Sequence, residues 1–147
     1  METRLLSLGS KIHNALVECS RKENQFSDNL EGACAIASAL FVKEAHRMFG
    51  IHLTFKATAE HAWTVYKDNV YDLTATQFGH KEKVFTMPYK HIETMKDCYM
   101  RNCYTHTESR TLDRINECWP AHQRPINYRL NWINQHIARV VFLGKVI

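Results

Sequence analysis

The sequence predicts one α+β domain, in which a buried central helix packs on a small antiparallel sheet. The chain of 147 residues is close to the common size of a single domain. Its first half contains two segments with helical periodicity, and short runs with strand composition follow them. We therefore expect a single domain over residues 1–147.

Two helices are predicted before residue 51. Apolar side chains recur at steps of three and four over residues 3–22, which predicts an amphipathic helix that Gly9 weakens slightly. The second helix is predicted to begin near Gly32 or Cys34 and to end at Gly50. Its many alanines and apolar residues indicate burial on most sides, as expected for the central helix. The apolar positions of the first helix are Leu5, Leu8, Ile12, Leu16 and Cys19.

Strands are predicted next, at residues 51–57, 62–66 and 70–73, because β-branched and aromatic residues are frequent there. A turn is predicted at Lys67-Asp68-Asn69. Beyond residue 80 the pattern is weaker. Residues 91–103, 111–118 and 126–141 have helical spacing, and residues 140–147 form either the end of the last helix or a strand.

The composition predicts a cytoplasmic protein. Its 45% hydrophobic and 23% charged residues are ordinary for a globular chain. No apolar run is long enough to cross a bilayer, and Met1-Glu2-Thr3-Arg4 lacks the layout of a secretory signal. An odd number of cysteines at low density favours free thiols over a disulfide scaffold. The five are Cys19, Cys34, Cys98, Cys103 and Cys118.

Charge is distributed unevenly along the chain. The net charge is +4, and residues 1–79 carry 8 Lys and Arg against 9 Asp and Glu, a balance of −1. Residues 80–147 carry 11 against 6, a balance of +5. A solvated basic face is favoured there, with a docking surface for an acidic partner as the alternative. Nucleic acid is disfavoured because there is no long basic run and no glycine-rich RNA-binding signature.

Three residues with complementary chemistry follow one another in the first half. Cys34 opens the alanine-rich helix, and His61 and Asp72 lie on neighbouring predicted strands. A helix N-terminus and a nearby imidazole both favour the thiolate form of a cysteine, and a carboxylate orients the imidazole. The order and placement predict a thiol nucleophile with a general base and an orienting acid.

The hairpin geometry tests this hypothesis. A tight turn at Lys67-Asp68 leaves His61 and Asp72 two residues out of register on one face, about 7 Å apart and within side-chain reach. A turn centred on Asp68-Asn69 separates them by roughly 13 Å, which is too far. The hypothesis therefore predicts the tighter turn or a bulge.

At these residues the chain resembles the transglutaminase-like branch of the papain-like cysteine enzymes. Cys34 at a helix start, His61-Ala62-Trp63 and Asp72-Leu73-Thr74 look like that family's Cys, His-Ala-Trp and Asp-x-Thr motifs. The spacing is similar to that of short bacterial members, including leader peptidases. The resemblance covers about residues 28–78. It implies a papain/transglutaminase-like fold with Cys34 as nucleophile, His61 as base and later acid, and Asp72 as orienter.

Substrate-binding residues are expected around this constellation. Trp63 is predicted to share the strand face of His61 and to wall the site. Papain-like enzymes often place an oxyanion-donating glutamine six residues before the nucleophile, but that position is Asp28, which accepts hydrogen bonds when ionised. Asn29, or Gln25, is expected to substitute for it beside the Cys34 backbone N–H. Gln77 is expected to line the cleft.

Zinc is disfavoured, because the remaining cysteines and histidines lack paired CxxC spacing. No phosphate-binding loop or dinucleotide fingerprint is present, and no cofactor is expected. Four further histidines are expected at the surface, and the aromatics beyond residue 98 are expected mainly in the core. The disfavoured zinc ligands are Cys98, Cys103, His106, Cys118 and His122, and the surface histidines are His46, His52, His80 and His91.

The sequence therefore favours a cysteine-dependent acyl-transfer enzyme that acts on a protein or peptide through a Cys34 acyl-thioester. A peptidase or amide hydrolase leads this interpretation. Glutamine deamidation, transamidation or another acyl transfer is the first alternative, because only the second substrate distinguishes them. A non-catalytic interaction module that retains the fold is the second alternative.

Overall fold

The computed structural model describes residues 1–23, 29–30, 33–57, 61–105 and 108–110. Three α-helices, five strands and two short 3-10 turns, Ala75–Phe78 and Tyr89–Thr94, are present in this part of the chain. The helices are α1 (Glu2–Glu23), α2 (Cys34–Phe49) and α3 (Cys98–Thr105), and the strands are β1 (Thr54–Ala57), β2 (Ala62–Tyr66), β3 (Asn69–Asp72), β4 (Phe85–Pro88) and β5 (Glu108–Arg110).

The strands form one antiparallel sheet in the order β4-β3-β2-β1-β5. The buried side chains of β2 and β3 alternate between two clusters. Ala62 and Tyr71 belong to the cluster that contains α1 and α2 residues, whereas Trp63 and Val70 belong to the cluster that contains Tyr104 of α3. Because neighbouring strand residues point to opposite faces, the sheet lies between two helical layers. The predicted α+β class is confirmed.

Helix α2 is the buried helix that the sequence predicts. It begins at Cys34, with no side-chain cap at Ala33, and Gly50 ends it in a left-handed conformation with φ 67°. The N–H of Gly50 donates to the carbonyl of His46 at 2.9 Å, which satisfies one of the last carbonyls of the helix. The helix packs on α1, β1 and β2. The start of α2 therefore lies beside the sheet that carries His61.

Gly9 has a packing role in α1 that its helix propensity does not show. A Cβ atom at this position would lie 2.7 Å from Cδ2 of Leu73 and 2.8 Å from Cγ2 of Val84. Leu73 follows Asp72 directly and is buried. The absence of a side chain at Gly9 therefore lets α1 approach the end of β3 closely. The predicted apolar face of α1 is buried at Leu5, Leu8, Ile12 and Leu16.

The β2–β3 hairpin has the tight turn that the catalytic hypothesis requires. Thr64 pairs with Tyr71 and Tyr66 pairs with Asn69, so the loop is only Lys67 and Asp68. Both loop residues have positive φ, 46° and 65°. Such values match a type I′ turn, whose twist suits a two-residue hairpin. The prediction of a turn at Lys67-Asp68 is confirmed.

The region beyond residue 80 differs from the sequence prediction. The predicted helix over 91–103 is divided between the 3-10 turn Tyr89–Thr94 and α3, and β4 and β5 were not predicted. Three predicted elements lie outside the described residues: the helices over 111–118 and 126–141 and the alternative strand over 140–147. Most of the basic region, residues 80–147, lies outside them too. No helix in the described ranges has the length and apolar character needed to cross a membrane.

Candidate active site

His61 and Asp72 form a buried hydrogen-bonded pair. Nε2 of His61 donates to Oδ2 of Asp72 at 2.5 Å. The two residues are only 2% and 1% exposed, so water does not screen their interaction. The pairing of Thr64 with Tyr71 leaves His61 two residues out of register with Asp72, which is the diagonal relation expected from the tight turn.

The Asp72 carboxylate accepts hydrogen bonds at both oxygens. Oδ1 accepts from the backbone N–H of Thr74 at 2.8 Å and from its hydroxyl at 3.3 Å. Oδ2 accepts from His61 and from the hydroxyl of Tyr104, each at 2.5 Å. The Asp72-Leu73-Thr74 motif is thus a turn in which the carboxylate binds the backbone two residues on. This fixes the orientation of the carboxylate toward His61.

A second buried histidine supports the same turn from α1. Nδ1 of His13 donates to the carbonyl of Leu73 at 2.7 Å. Burial lowers the pKa of His13 below 6.5, which outweighs the opposing effect of this hydrogen bond. His13 is therefore neutral at physiological pH, with its proton on the nitrogen that holds Leu73. The sequence analysis did not single out this residue.

The electrostatics of the pair favour charge on both partners. Burial acts to lower the pKa of His61, but the charge and hydrogen bond of Asp72, with a smaller contribution from Cys34, raise it from 6.5 to about 10. Burial acts to raise the pKa of Asp72, but the charge and hydrogen bond of His61, with its other donors, hold it below 3.8. At neutral pH the pair is therefore an imidazolium and a carboxylate.

Cys34 lies against this pair from the start of α2. Its thiol is a hydrogen-bond partner of His61, and its side chain is half-buried. The first turn of α2 carries no side-chain cap, so its backbone N–H groups are not satisfied by a capping side chain. With Nε2 of His61 bonded to Asp72, Nδ1 is the nitrogen that remains for the thiol. All three predicted catalytic residues are thus brought together.

The predicted binding residues Asn29 and Gln77 lie near the same rim. Nε2 of Gln77 is 3.4 Å from Nδ1 of His61 and donates to the hydroxyl of Thr74 at 3.1 Å. Asn29 is exposed, and its carbonyl accepts a hydrogen bond from the hydroxyl of Thr76 at 3.0 Å. This contact joins the segment before α2 to the turn that carries Gln77. Gln25 and Asp28, the other residues weighed for the oxyanion site, lie outside the described residues.

Aromatic rings enclose His61 on several sides. Trp63 stacks on it at 5.9 Å between ring centroids and has no exposed surface, so its observed contribution is to pack behind the imidazole. Phe78 meets His61 edge-on at 4.9 Å, and Tyr99 meets Phe78 at 5.8 Å. Tyr99 is 64% exposed. The aromatic contacts therefore extend from the interior to the surface beside His61. Within the described residues, Nε1 of Trp63 is buried without a hydrogen-bond partner.

Tyr104 is a site residue that the sequence analysis missed. As an aromatic residue beyond residue 98 it is expected mainly in the core, and it is indeed completely buried. Its hydroxyl, however, reaches Asp72 from α3, 32 positions further along the chain. No motif or spacing links the two residues. Only the packing of α3 on the sheet brings them together.

The residues set aside as zinc ligands are not gathered in the part of the chain that is described. Cys98 is exposed and Cys103 is buried, whereas His106, Cys118 and His122 lie outside the described ranges. Among described residues, no three His, Cys, Asp or Glu side chains are grouped as metal ligands. His46, His52 and His91 are exposed as predicted, and His80 is half-buried.

Comparisons with protein-family models, curated proteins and solved structures found no match to this chain. The functional assignment must therefore come from the chemistry of the site.

Proposed function

We propose that this chain is a cysteine-dependent acyl-transfer enzyme of papain/transglutaminase-like architecture, and that it hydrolyses an amide bond in a protein or peptide. The observation that carries the proposal is the position of His61 between the Cys34 thiol and the Asp72 carboxylate. An imidazolium beside a thiol favours the thiolate, which is the nucleophilic form.

The proposed reaction proceeds in two stages. The Cys34 thiolate attacks the acyl carbon, a C–S bond forms, and the carbonyl electron pair moves to oxygen. When the intermediate collapses the C–N bond breaks, and the His61 imidazolium gives its proton to the leaving amine. The neutral His61 then takes a proton from water, which attacks the thioester; the C–S bond breaks, the acid is released, and the Cys34 thiolate is regenerated beside the His61 imidazolium. Replacing water by an amine gives transamidation, so the acceptor alone distinguishes these outcomes.

The start of α2 supplies donors for the oxyanion in this proposal. The backbone N–H of Cys34 belongs to an uncapped first turn, where partial positive charge faces the incoming carbonyl. Gln77 lies beside Nδ1 of His61. Asn29 is held near Gln77 because its carbonyl accepts a hydrogen bond from Thr76, the residue before Gln77. We propose both Gln77 and Asn29 as substrate-binding residues.

Selective alkylation of Cys34 tests the proposal. At pH 6 an ordinary thiol is less than about 1% ionised, so iodoacetamide labels it slowly. We expect Cys34 to be labelled at least ten times faster than Cys98, which is exposed. The measurement is peptide mapping by mass spectrometry after timed quenching.

Two histidine variants make this experiment specific. His61→Ala removes the imidazole and should reduce the Cys34 rate to that of Cys98. His91→Ala removes an exposed histidine outside the site and should leave the rate unchanged. If Cys34 in the unmodified protein reacts no faster than Cys98, the thiol is not activated and the non-catalytic alternative is correct.

A further inference from the structure

The Asp72 carboxylate has a second strong donor on the oxygen that holds His61. Oδ2 accepts from Nε2 of His61 and from the hydroxyl of Tyr104, both at 2.5 Å. Tyr104 and Trp63 are each 0% exposed, so no water competes for this oxygen from their side. The two donors therefore share a single acceptor in a dry environment.

The position of the Tyr104 hydroxyl is fixed by its ring. The ring meets His61 edge-on at 5.4 Å and Trp63 edge-on at 4.8 Å, and it stacks on Phe85 at 6.0 Å. These contacts come from two segments of the chain, the start of β2 with His61 and Trp63 and the start of β4 with Phe85. A tyrosine held on several sides has no freedom to move its hydroxyl away from Asp72.

We propose that Tyr104 is a positioning residue, which acts through Asp72 by occupying the oxygen shared with His61 and so limits how strongly the carboxylate holds the imidazole. Two donors on one oxygen compete, because each withdraws charge from it. The Tyr104 bond is stronger when His61 is neutral and weaker when His61 is cationic. Tyr104 thus favours release of the His61 proton, the step in which the leaving amine is protonated.

The titratable groups around the site agree with this role. Among the described residues, the titratable groups that interact with His61 include Asp72, Cys34 and Tyr104, and His13 lies near Asp72 through the Leu73 carbonyl. Cys103 and Cys34 interact electrostatically with Tyr104, and Lys83 does so with His13. Burial and the charge of Asp72 raise the pKa of Tyr104 well above 10. Tyr104 therefore stays a neutral donor while His61 titrates. The claim that Tyr104 assists proton transfer from His61 to the leaving amine rests on the proposed function.

A graded series at position 104 tests the inference. Tyr104→Phe removes the hydroxyl, and we expect the pKa of His61, measured by NMR titration, to rise by about half a unit to one unit, a fraction of one charged hydrogen bond. Replacement of Tyr104 by 3-fluorotyrosine gives a more acidic hydroxyl and a stronger donor. The pKa of His61 should then fall below that of the unmodified protein.

Controls separate the hydroxyl from packing. Replacement by 3-fluorophenylalanine carries the fluorine without the hydroxyl and should match Tyr104→Phe. Tyr99→Phe removes an exposed hydroxyl from the same helix and should leave His61 unchanged. If Tyr104→Phe does not fold, the fluorotyrosine protein still provides the comparison. An identical His61 pKa with tyrosine and 3-fluorotyrosine, whatever happens to stability, would overturn the inference.

The test is independent of the proposed function. The His61 titration does not use Cys34 reactivity. Slow alkylation of Cys34 combined with the expected titration series would disprove the enzyme and retain the Tyr104–Asp72–His61 coupling. Fast alkylation of Cys34 combined with the same His61 pKa in all the position-104 variants would disprove this coupling and retain the enzyme.

Discussion

Asp72 accepts hydrogen bonds from several residues of the candidate site and so connects them. Its two oxygens accept from the imidazole of His61, the hydroxyl of Tyr104, and the backbone and side chain of Thr74. A buried carboxylate is stable only when such donors compensate for the loss of water. The same donors that keep Asp72 ionised also fix its direction, so charge and geometry are supplied by one set of contacts.

Asp72→Asn should reverse the direction in which the pKa of His61 is shifted. Without the carboxylate, burial becomes the dominant influence, and burial lowers this pKa. We expect the value to fall from about 10 to below 6.5, as measured by NMR titration. Alkylation of Cys34 at pH 6 should slow to the rate of Cys98. Asp68→Asn, at the exposed tip of the same hairpin, is the matched control and should change neither quantity.

The residues of the site differ in how far the sequence predicts them. Cys34, His61 and Asp72 are predictable because each lies at a recognisable point of a helix or hairpin, and the turn geometry links the last two. Tyr104 and His13 cannot be predicted in this way. The contact of Tyr104 with Asp72 depends on how α3 packs on the sheet, and the contact of His13 with the Leu73 carbonyl depends on how α1 packs there. Local periodicity carries no information about such long-range contacts.

The elements with strong local signals are the ones predicted correctly. Helices α1 and α2 and the β2–β3 hairpin lie close to their predicted bounds, because periodicity, Gly50 and the turn residues define them. Strands β4 and β5 are only 4 and 3 residues in the structure. So short a strand shows little alternation, and its pairing partner rather than its own sequence determines it.

The contact between α1 and the end of β3 leads to a prediction at Gly9. Gly9→Ala improves helix propensity by about 1 kcal/mol, but overpacking costs about 1–3 kcal/mol. The new Cβ would lie 2.7 Å from Leu73 and 2.8 Å from Val84, both buried. We expect a net loss of up to about 2 kcal/mol in the free energy of unfolding, measured with denaturant.

The control for Gly9→Ala lies on the same helix. Ser7 is exposed, and Ser7→Ala should raise the free energy of unfolding by a few tenths of a kcal/mol through propensity alone. Because Leu73 lies between Asp72 and Thr74, Gly9→Ala should also slow Cys34 alkylation, whereas Ser7→Ala should not. A stabilising effect of Gly9→Ala would show that the α1–β3 contact is looser than described.

At the scale of the whole molecule, the candidate site lies where separate layers meet. Cys34 comes from the helical layer on one face of the sheet, Tyr104 from the layer on the other, and His61 and Asp72 from the hairpin between them. None of these residues is brought to the others by local structure alone, apart from the hairpin pair. The charged pair can therefore persist only in the folded chain, which couples its titration to stability.

This coupling predicts that the two buried histidines stabilise the fold most near pH 6.5. The pKa of His61 is about 10 in the folded protein and 6.5 when unfolded. Between these values His61 holds one more proton in the folded state than in the unfolded state, so its contribution to stability falls as pH rises, by up to about 1.4 kcal/mol per pH unit. His13 has a lowered pKa, so the unfolded state takes up a proton first and stability falls below pH 6.5. Asp72, with a pKa below 3.8, adds a further loss at lower pH.

Denaturant unfolding between pH 5 and 10 measures how the free energy of unfolding depends on pH. Two variants show which residue causes the fall on the alkaline side and which causes the fall on the acid side. Asp72→Asn removes the charge that holds the His61 proton, so it should flatten the alkaline limb. His13→Asn keeps a donor for the Leu73 carbonyl but cannot titrate, so it should flatten only the acid limb. Ionisable groups elsewhere contribute equally to all three proteins and cancel in the differences. An alkaline limb that is equally steep in Asp72→Asn and in the unmodified protein would contradict a buried His61–Asp72 ion pair.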